Sequence, residues 1–537
     1  MRLLAGGVSL ATGLVLLARS AGGFTAVMRN TVMVVCTLLL ACACAVNPVT
    51  GKREFMVVPS AADIQVGEQN YFPMQQSQGG VYAVDPELTT YVQRVGNALA
   101  EQSGVELPYE FVVLNNSVPN AWALPGGKIA INRGLLTELG SEAELAAVLG
   151  HEVVHAAARH SARQQSRGML LQGLVIASAI ATSDSDYGNL AVGAASVGAQ
   201  LLAIKYGRDA ELESDYYGMQ YMADAGYDPQ GAVSLQETFV RLSQGRRSDW
   251  LSGLFSSHPP SRERVRANKA TAEALPAVGT VGLDAYRQAL AKTMRVKPAY
   301  DAYDAGRKAL SEKRVDEALQ LAKEALRLFP DEPHFHALRG DVRIVMEKFA
   351  MAVTNFGRAI DRNEDFFYYH LQRGLAHREL GNVQDATRDL RASVRLLPTA
   401  PGHFALGEMA YAQGRAAEAI EHFRVVAQSG GDYGKAAQDK LVRIELPENP
   451  GSYIAKRCAA DDDGNLVVLL QNQTSVQVGG VRLAVRYTGV DGARQQRQFQ
   501  VRERISPGQV VRVETGMGPF SAGGQCPADV VAANIVE

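Results

Sequence analysis

The sequence predicts a multidomain, mostly α-helical protein in three parts. A helical domain with a small β element comes first, then an α-solenoid, then a small β-sandwich. Three observations carry this expectation. Residues 151–155 read His-Glu-Val-Val-His, glycines and alanines recur every 33 or 34 residues between Gly306 and Ala419, and short stretches after residue 450 alternate with period two. The chain has 537 residues, enough for three or four domains. Its 47% hydrophobic and 20% charged residues are those of a globular protein. With 54 basic and 56 acidic residues the formal net charge is −2, which gives no electrostatic basis for binding nucleic acid.

The first part is organised around the H-E-x-x-H stretch. Ser141 and Glu144 read as a capping box, and Leu145, Val148 and Leu149 follow at helical spacing. No proline interrupts the run to Ala162, so one continuous helix is expected. On a helix, His151 and His155 leave from one face and can share a Zn²⁺ ion. Glu152 then stands beside the metal, where a general base for an attacking water belongs. A third ligand is needed, and a second helix supplies candidates. Glu211 and Asp215 share a face, so that one can hold the metal while the other orients an imidazole, whereas Glu213 points elsewhere. A solvated acidic face is the ordinary alternative for this cluster.

Residues 55–105 read as mostly helical and Tyr109–Leu114 as a strand. Gly126 and Gly127 mark a turn before a strand at Lys128–Asn132. Gly127, Lys128, Ile129 and Ala130 are expected to offer a strand edge to an extended peptide substrate, an ordinary hairpin being the alternative. The apolar stretch Met169–Thr182 is too short to span a bilayer and suits a buried helix or a flap over the cleft. The first 300 residues hold four histidines, at 151, 155, 160 and 258. His258 precedes Pro259-Pro260 and Ser261-Arg262-Glu263-Arg264, a stiff loop. Three roles stay open for it: a structural hydrogen bond, support of an oxyanion, or closure of the metal's vacant position.

Residues 1–41 read as a signal peptide, with Met28 the better start. The run Thr31–Ala41 ends in Leu39-Leu40-Ala41-Cys42, which resembles the bacterial lipoprotein cleavage box. The resemblance implies lipid on Cys42, a lipidated linker over 42–54, and a periplasm-facing outer-membrane lipoprotein, since Ala43 and not Asp follows. An uncleaved membrane anchor is the alternative.

Between 299 and 445, Gly306, Gly340, Gly374 and Gly407 mark the repeat, and Ala318, Ala352, Ala386 and Ala419 keep the same offsets. This is the tetratricopeptide signature, helix pairs stacked into a solenoid with a concave binding surface. His334, His336, His370 and His377 read as solvated or groove-lining, since no acid or cysteine spacing supports a second metal site. Over 450–537, Leu466–Leu470, Val481–Tyr487, Gln498–Ile505 and Val510–Thr515 alternate between glycine-rich turns, the pattern of a β-sandwich. Cys458 lies ahead of the first of these strands and Cys526 behind the last, so a disulfide is expected to tie the module's ends.

Together, His151–His155, His160, Glu211-x-x-x-Asp215, Asn120–Arg133 and Ser257-His258-Pro259-Pro260 resemble the HtpX-type zinc metallopeptidases, in the BepA-like exported branch with C-terminal tetratricopeptide repeats. The resemblance implies a gluzincin-type metalloprotease of zincin fold over 55–295. It implies one Zn²⁺ per chain on His151, His155 and Glu211, with Glu152 as catalytic base and Asp215 orienting a ligand. His160 belongs to the pattern without ligating. The expected function is envelope quality control: cleavage of unfolded or misassembled polypeptides, with the repeats recruiting substrates or envelope assembly proteins. The rival is a chaperone-like scaffold with a silent or structural metal.

Overall fold

The computed structural model describes residues 44–172, 206–244, 258–276, 278–488, 494–520 and 526–536. The signal segment, Cys42 and most of Met169–Thr182 lie outside them. The chain divides into two compact units that meet in sequence between Lys297 and Pro298. Among the described residues no helix is long and apolar enough to cross a membrane.

The first unit opens with a hairpin, β1 (Cys44–Val46) and β2 (Arg53–Phe55), then α1 (Ser60–Ser77) and α2 (Pro86–Gln102). Strands β3 (Glu110–Leu114), β4 (Ala121–Leu124) and β5 (Lys128–Asn132) follow, then the short α3 (Arg133–Leu136). Next come α4 (Glu142–Ala157), α5 (His160–Gln172), α6 (Arg208–Asp224), α7 (Gln230–Gln244) and α8 (Arg262–Ala274). The strand order is β3-β5-β4, with β5 parallel to β3 and antiparallel to β4. Both edges of β5 are therefore taken. The expectation that Gly127, Lys128, Ile129 and Ala130 offer an edge to substrate is overturned by this pairing. Among the described residues, the strand with an unpaired edge on the helix side is β4, which packs on α4.

Helix α4 starts where its sequence says it should. The Ser141 side chain accepts from the Glu144 amide at 3.1 Å, while Glu144 reaches back to the Gly140 amide at 2.7 Å, one residue earlier than a standard box. The helix ends sooner than expected. Arg159 adopts a left-handed φ of 57°, and its guanidinium is held by Asp63 and by the Val58 carbonyl. His160 therefore starts a new helix. Helices α4 and α6 cross at two glycines. A Cβ on Gly218 would stand 3.1 Å from the Gly150 carbonyl carbon and the His151 amide nitrogen. That approach brings Glu211 and Asp215 within reach of the histidines.

The second unit takes up α9 (Leu283–Ser311) from Pro298 onward. The solenoid continues as α10 (Val315–Leu328), α11 (Pro333–Val345), α12 (Phe349–Ile360), α13 (Phe367–Glu379), α14 (Val383–Leu396), α15 (Ala400–Ala412) and α16 (Ala416–Ala427), with α17 (Gly431–Glu445) behind them. Its period has a packing cause. Cβ atoms added at Gly340, Gly374 and Gly407 would meet Phe356, Leu390 and Phe423 at 2.7–2.8 Å, so each repeat needs glycine there. The alanines of the second row are all fully buried at the helix crossings. Of the repeat histidines expected to be solvated or groove-lining, His334, His336 and His370 are buried, which excludes the solvated setting for them. His336 and His370 stand one repeat apart and bind the Pro330 and Glu364 carbonyls, each at 2.9 Å.

The sandwich comprises β6 (Ile454–Ala460), β7 (Leu466–Asn472), β8 (Val478–Thr488), β9 (Arg494–Gln500), β10 (Val510–Glu514) and β11 (Ala528–Ile535). Two antiparallel sheets, β10-β7-β6 and β11-β8-β9, enclose Leu466, Val468, Leu470, Val481, Leu483 and Val485. Val442 and Leu446, at the end of α17, join that core. A disulfide links Cys458 to Cys526 across 68 residues, with Cα atoms 5.2 Å apart. Closing a loop of that length stabilises a fold by roughly 4 kcal/mol in the chain-entropy account. Cys458 does precede Leu466–Leu470, but it lies within a further strand, β6, so the bridge joins one sheet to the segment entering the other.

The helix crossing makes a prediction. Gly218→Val should push α4 and α6 apart, at a cost of about 1–3 kcal/mol, and should lower metal retention as well as the melting temperature. Thermal denaturation and metal analysis of the full chain check it; a variant with wild-type values for both would show that the close approach is not required.

Candidate metal centre

Four side chains from three elements converge. His151 and His155 come from α4, Glu211 from the first turn of α6, and His258 from the segment just ahead of α8. One donor atom from each lies within 4.8 Å of all the others, and all four residues are buried. His155 Nε2 is 2.9 Å from His151 Nε2, and His258 Nδ1 is 3.2 Å from His151 Nε2 and 3.0 Å from Glu211 Oε1. Glu211 Oε1 is also 3.4 Å from His155 Nε2. Glu152, one residue along α4, is buried beside them, and its Oε2 has no hydrogen-bond partner among the described residues.

The chemistry of this donor set fits a divalent cation. The His151 Nδ1 is engaged by Asp215 Oδ1 at 2.9 Å, so its Nε2 lone pair faces the cluster. Imidazole nitrogens and a carboxylate oxygen turned on one point suit Zn²⁺. Charge agrees. The buried carboxyl groups of Glu152, Glu211 and Asp215 gather around Arg264, an excess of acidic groups that suits a cation. Burial by itself raises the Glu211 carboxyl, but His258, His151 and the hydrogen bonds from His155 and His258 hold it well below the usual range. Burial pushes the Glu152 carboxyl up, opposed by His258 and His151. Burial also drives His155 well below its ordinary value, so the ring is neutral and able to ligate.

Residues 86–272 match peptidase family M48, and residues 337–401 and 390–434 match a tetratricopeptide repeat. Residues 86–272 are a peptidase family M48 domain. The chain is 31% identical over 221 residues to the mitochondrial metalloendopeptidase OMA1 of Schizosaccharomyces pombe, covering 41% of this chain and 64% of that one. It is 25% identical over 366 residues to the beta-barrel assembly-enhancing protease of Yersinia pestis, covering 62% and 73%. Against the protein of that name in Escherichia coli it is 26% identical over 261 residues, covering 48% and 52%. The chain thus spans less than two thirds of the first of these relatives, and its pairing of an M48 domain with repeats agrees with the BepA-like branch.

The M48 domain braces its histidines by two routes. Asp215 receives His151 on one side and Arg264 on the other, through Nε at 2.7 Å and Nη2 at 2.6 Å. Burial opposes ionisation of Asp215, but Arg264 and His151 together keep its carboxyl below the usual range. Arg264 Nη1 also stands 2.8 Å from Glu211 Oε2. Behind His155 lies His160, with the two Nδ1 atoms 2.9 Å apart, and Glu213 Oε1 is 3.1 Å from His160 Nε2. Tyr206 lies on the His155 ring, with centroids 3.9 Å apart. A cavity of about 30 Å³ adjoins His151 and Glu152, lined by Ala121, Val148, Met219, Leu235 and Phe239 among others. That is room for about one water.

Sequence reasoning brought His151, Glu152, His155, Glu211 and Asp215 together, and the structure places them so. It missed Arg264, whose signal was a basic residue on the helix after the His258 loop, facing two acids that need a counterion. It also missed Tyr206, and it set Glu213 aside although that carboxylate supports His160. Arg264→Leu should strand two buried carboxylates. The expected loss is about 3–5 kcal/mol, measured by denaturant unfolding of the metal-free chain, while Arg264→Lys should lose less. A neutral result for Arg264→Leu would contradict this account of the charge balance.

Proposed function

We propose that this chain is a zinc-dependent endopeptidase of the bacterial periplasm that cuts unfolded or misassembled envelope polypeptides. The observation that carries the reading is the convergence of His151, His155 and Glu211 with Glu152 beside them. Zn²⁺, when bound, supplies Lewis acidity toward a scissile carbonyl and an attacking water. Glu152 takes the proton from that water and passes it to the leaving amine. Its partnerless Oε2 is the atom suited to the task. The unpaired edge of β4 is the place for an extended substrate, because Ala121 lines the cavity beside Glu152. The apolar wall of that cavity favours an apolar side chain next to the cut bond.

His258 restrains the site. Its Nδ1 takes the position of a fourth donor, and its Nε2 faces Glu152 Oε1 at 3.6 Å. With His258 as a fourth donor the site has no vacant position for a water, so in this reading activity requires His258 to withdraw. Lipid on Cys42 would anchor the protein to the outer membrane, in keeping with the cleavage box and with relatives named for beta-barrel assembly. The repeats recruit substrates or assembly proteins. A groove lined by Ile344, Leu375, Phe404 and Tyr433, and by the paired Arg378 and Glu408, is available for this.

Purified full-length protein should cleave unfolded casein, and a chelator should stop it. Glu152→Gln should retain the metal and lose at least about 100-fold in rate; undiminished cleavage by that variant would leave the scaffold reading standing instead. A separate outcome concerns restraint. His258→Ala should raise basal cleavage and self-cleavage while the metal stays bound, whereas a fall in rate would assign His258 to the oxyanion.

A further inference from the structure

We propose that His160, Glu213 and Asn47 form a hydrogen-bond relay that fixes the tautomer of His155, and so act as positioning residues for the metal. The proposal rests on His155 being a ligand, as read above. The two ligand histidines of α4 are supported differently. His151 presents its Nδ1 directly to a carboxylate, Asp215. His155 presents its Nδ1 to another imidazole. A neutral imidazole has one donor and one acceptor nitrogen, so two facing Nδ1 atoms leave the tautomer undecided until a third group sets it.

Glu213 is that group. Its Oε1 receives His160 Nε2 at 3.1 Å and Asn47 Nδ2 at 2.9 Å, and Arg163 Nη1 stands 3.6 Å from its Oε2. A carboxylate accepts, so His160 carries its proton on Nε2. The His160 Nδ1 then holds a lone pair, accepts from His155 Nδ1–H, and leaves the His155 Nε2 lone pair facing the metal position. Ser214 Oγ, 3.4 Å from His160 Nδ1, is a second donor on the same side. The opposite tautomer would put a proton on His155 Nε2, 2.9 Å from His151 Nε2, and would prevent ligation. Asn47 is fully buried and cannot turn over freely, because its Oδ1 already accepts from the Val49 and Thr50 amides.

The backbone is built for this contact. Had α4 continued, His160 would lie about 140° around the axis from His155, since five residues advance the helix by roughly 500°. The left-handed residue Arg159 breaks the helix and turns His160 back under His155. The relay ends on the β1–β2 hairpin, which Arg163 also holds through Glu54 at 2.7 Å. The hairpin therefore belongs to the support of the metal site as well as to the start of the fold.

The test is zinc affinity of the full chain by chelator competition, with melting of the metal-free protein measured in parallel. His160→Leu and Glu213→Leu should each weaken zinc binding by about 10–100-fold. His160→Asn should recover part of the loss, because an amide can both accept from His155 and donate toward Glu213. Asn47→Leu should show a smaller loss in the same direction. If the wild type binds zinc and His160→Leu binds it within about twofold, the relay is overturned. It is equally overturned if the Leu and Asn variants lose the same affinity and their metal-free forms melt early together, which would mark His160 as packing alone. A wild type that binds no zinc would instead overturn the proposed function on which the relay rests.

Discussion

Buried carboxylates and neutral imidazoles crowded round one point are costly unless something positive is shared among them. Most of the M48 domain can be understood as meeting that demand. Gly150 and Gly218 let α4 and α6 approach closely enough for Glu211 to reach the histidines. Arg264 neutralises part of the charge and grips Asp215 with two nitrogens, and Asp215 in turn aims His151. What remains is a site with a net need for a divalent cation and with nitrogen lone pairs turned toward it.

The same cluster includes a fourth buried donor, His258. His258 fills the place nearest Glu211 and faces Glu152, and the cavity beside them holds little more than a water. In the proposed function this arrangement withholds both the metal position and the base Glu152 until His258 moves. Displacing one loop histidine would free both at once, so a substrate that binds the displaced form better shifts the balance by that difference in affinity. Pro259 and Pro260 stiffen the segment behind His258, which favours movement of the loop as a piece.

Local pattern told much of this in advance. The helical period places His151, Glu152 and His155, and the same period places Glu211 with Asp215. The 34-residue repeat is legible because each glycine must admit Phe356, Leu390 or Phe423. The misreadings share a cause: they depend on contacts distant in sequence. The helix break at Arg159 follows a run of alanines with no glycine or proline to announce it, and Asp63 and Val58 hold it from nearly a hundred residues away. Pairing of β5 with β3, which makes it the central strand, is not written in either strand's own residues. Strand β11 escaped notice because register shifts around Ala532 spoil its alternation. Of the two settings the sequence leaves open for the repeat histidines, solvated or groove-lining, burial excludes the first, and for His336 and His370 the carbonyls of Pro330 and Glu364 take up the ring.

The central claim is that three histidines and one glutamate hold a single metal ion in the resting protein. X-ray absorption at the zinc edge, on full-length protein loaded with one equivalent of zinc, counts imidazole ligands directly. The account predicts three imidazoles and one carboxylate oxygen in the wild type, and two imidazoles once His258 is replaced by alanine. A wild-type spectrum with two imidazoles would contradict the closed site, and one with sulfur ligands would place the metal elsewhere altogether.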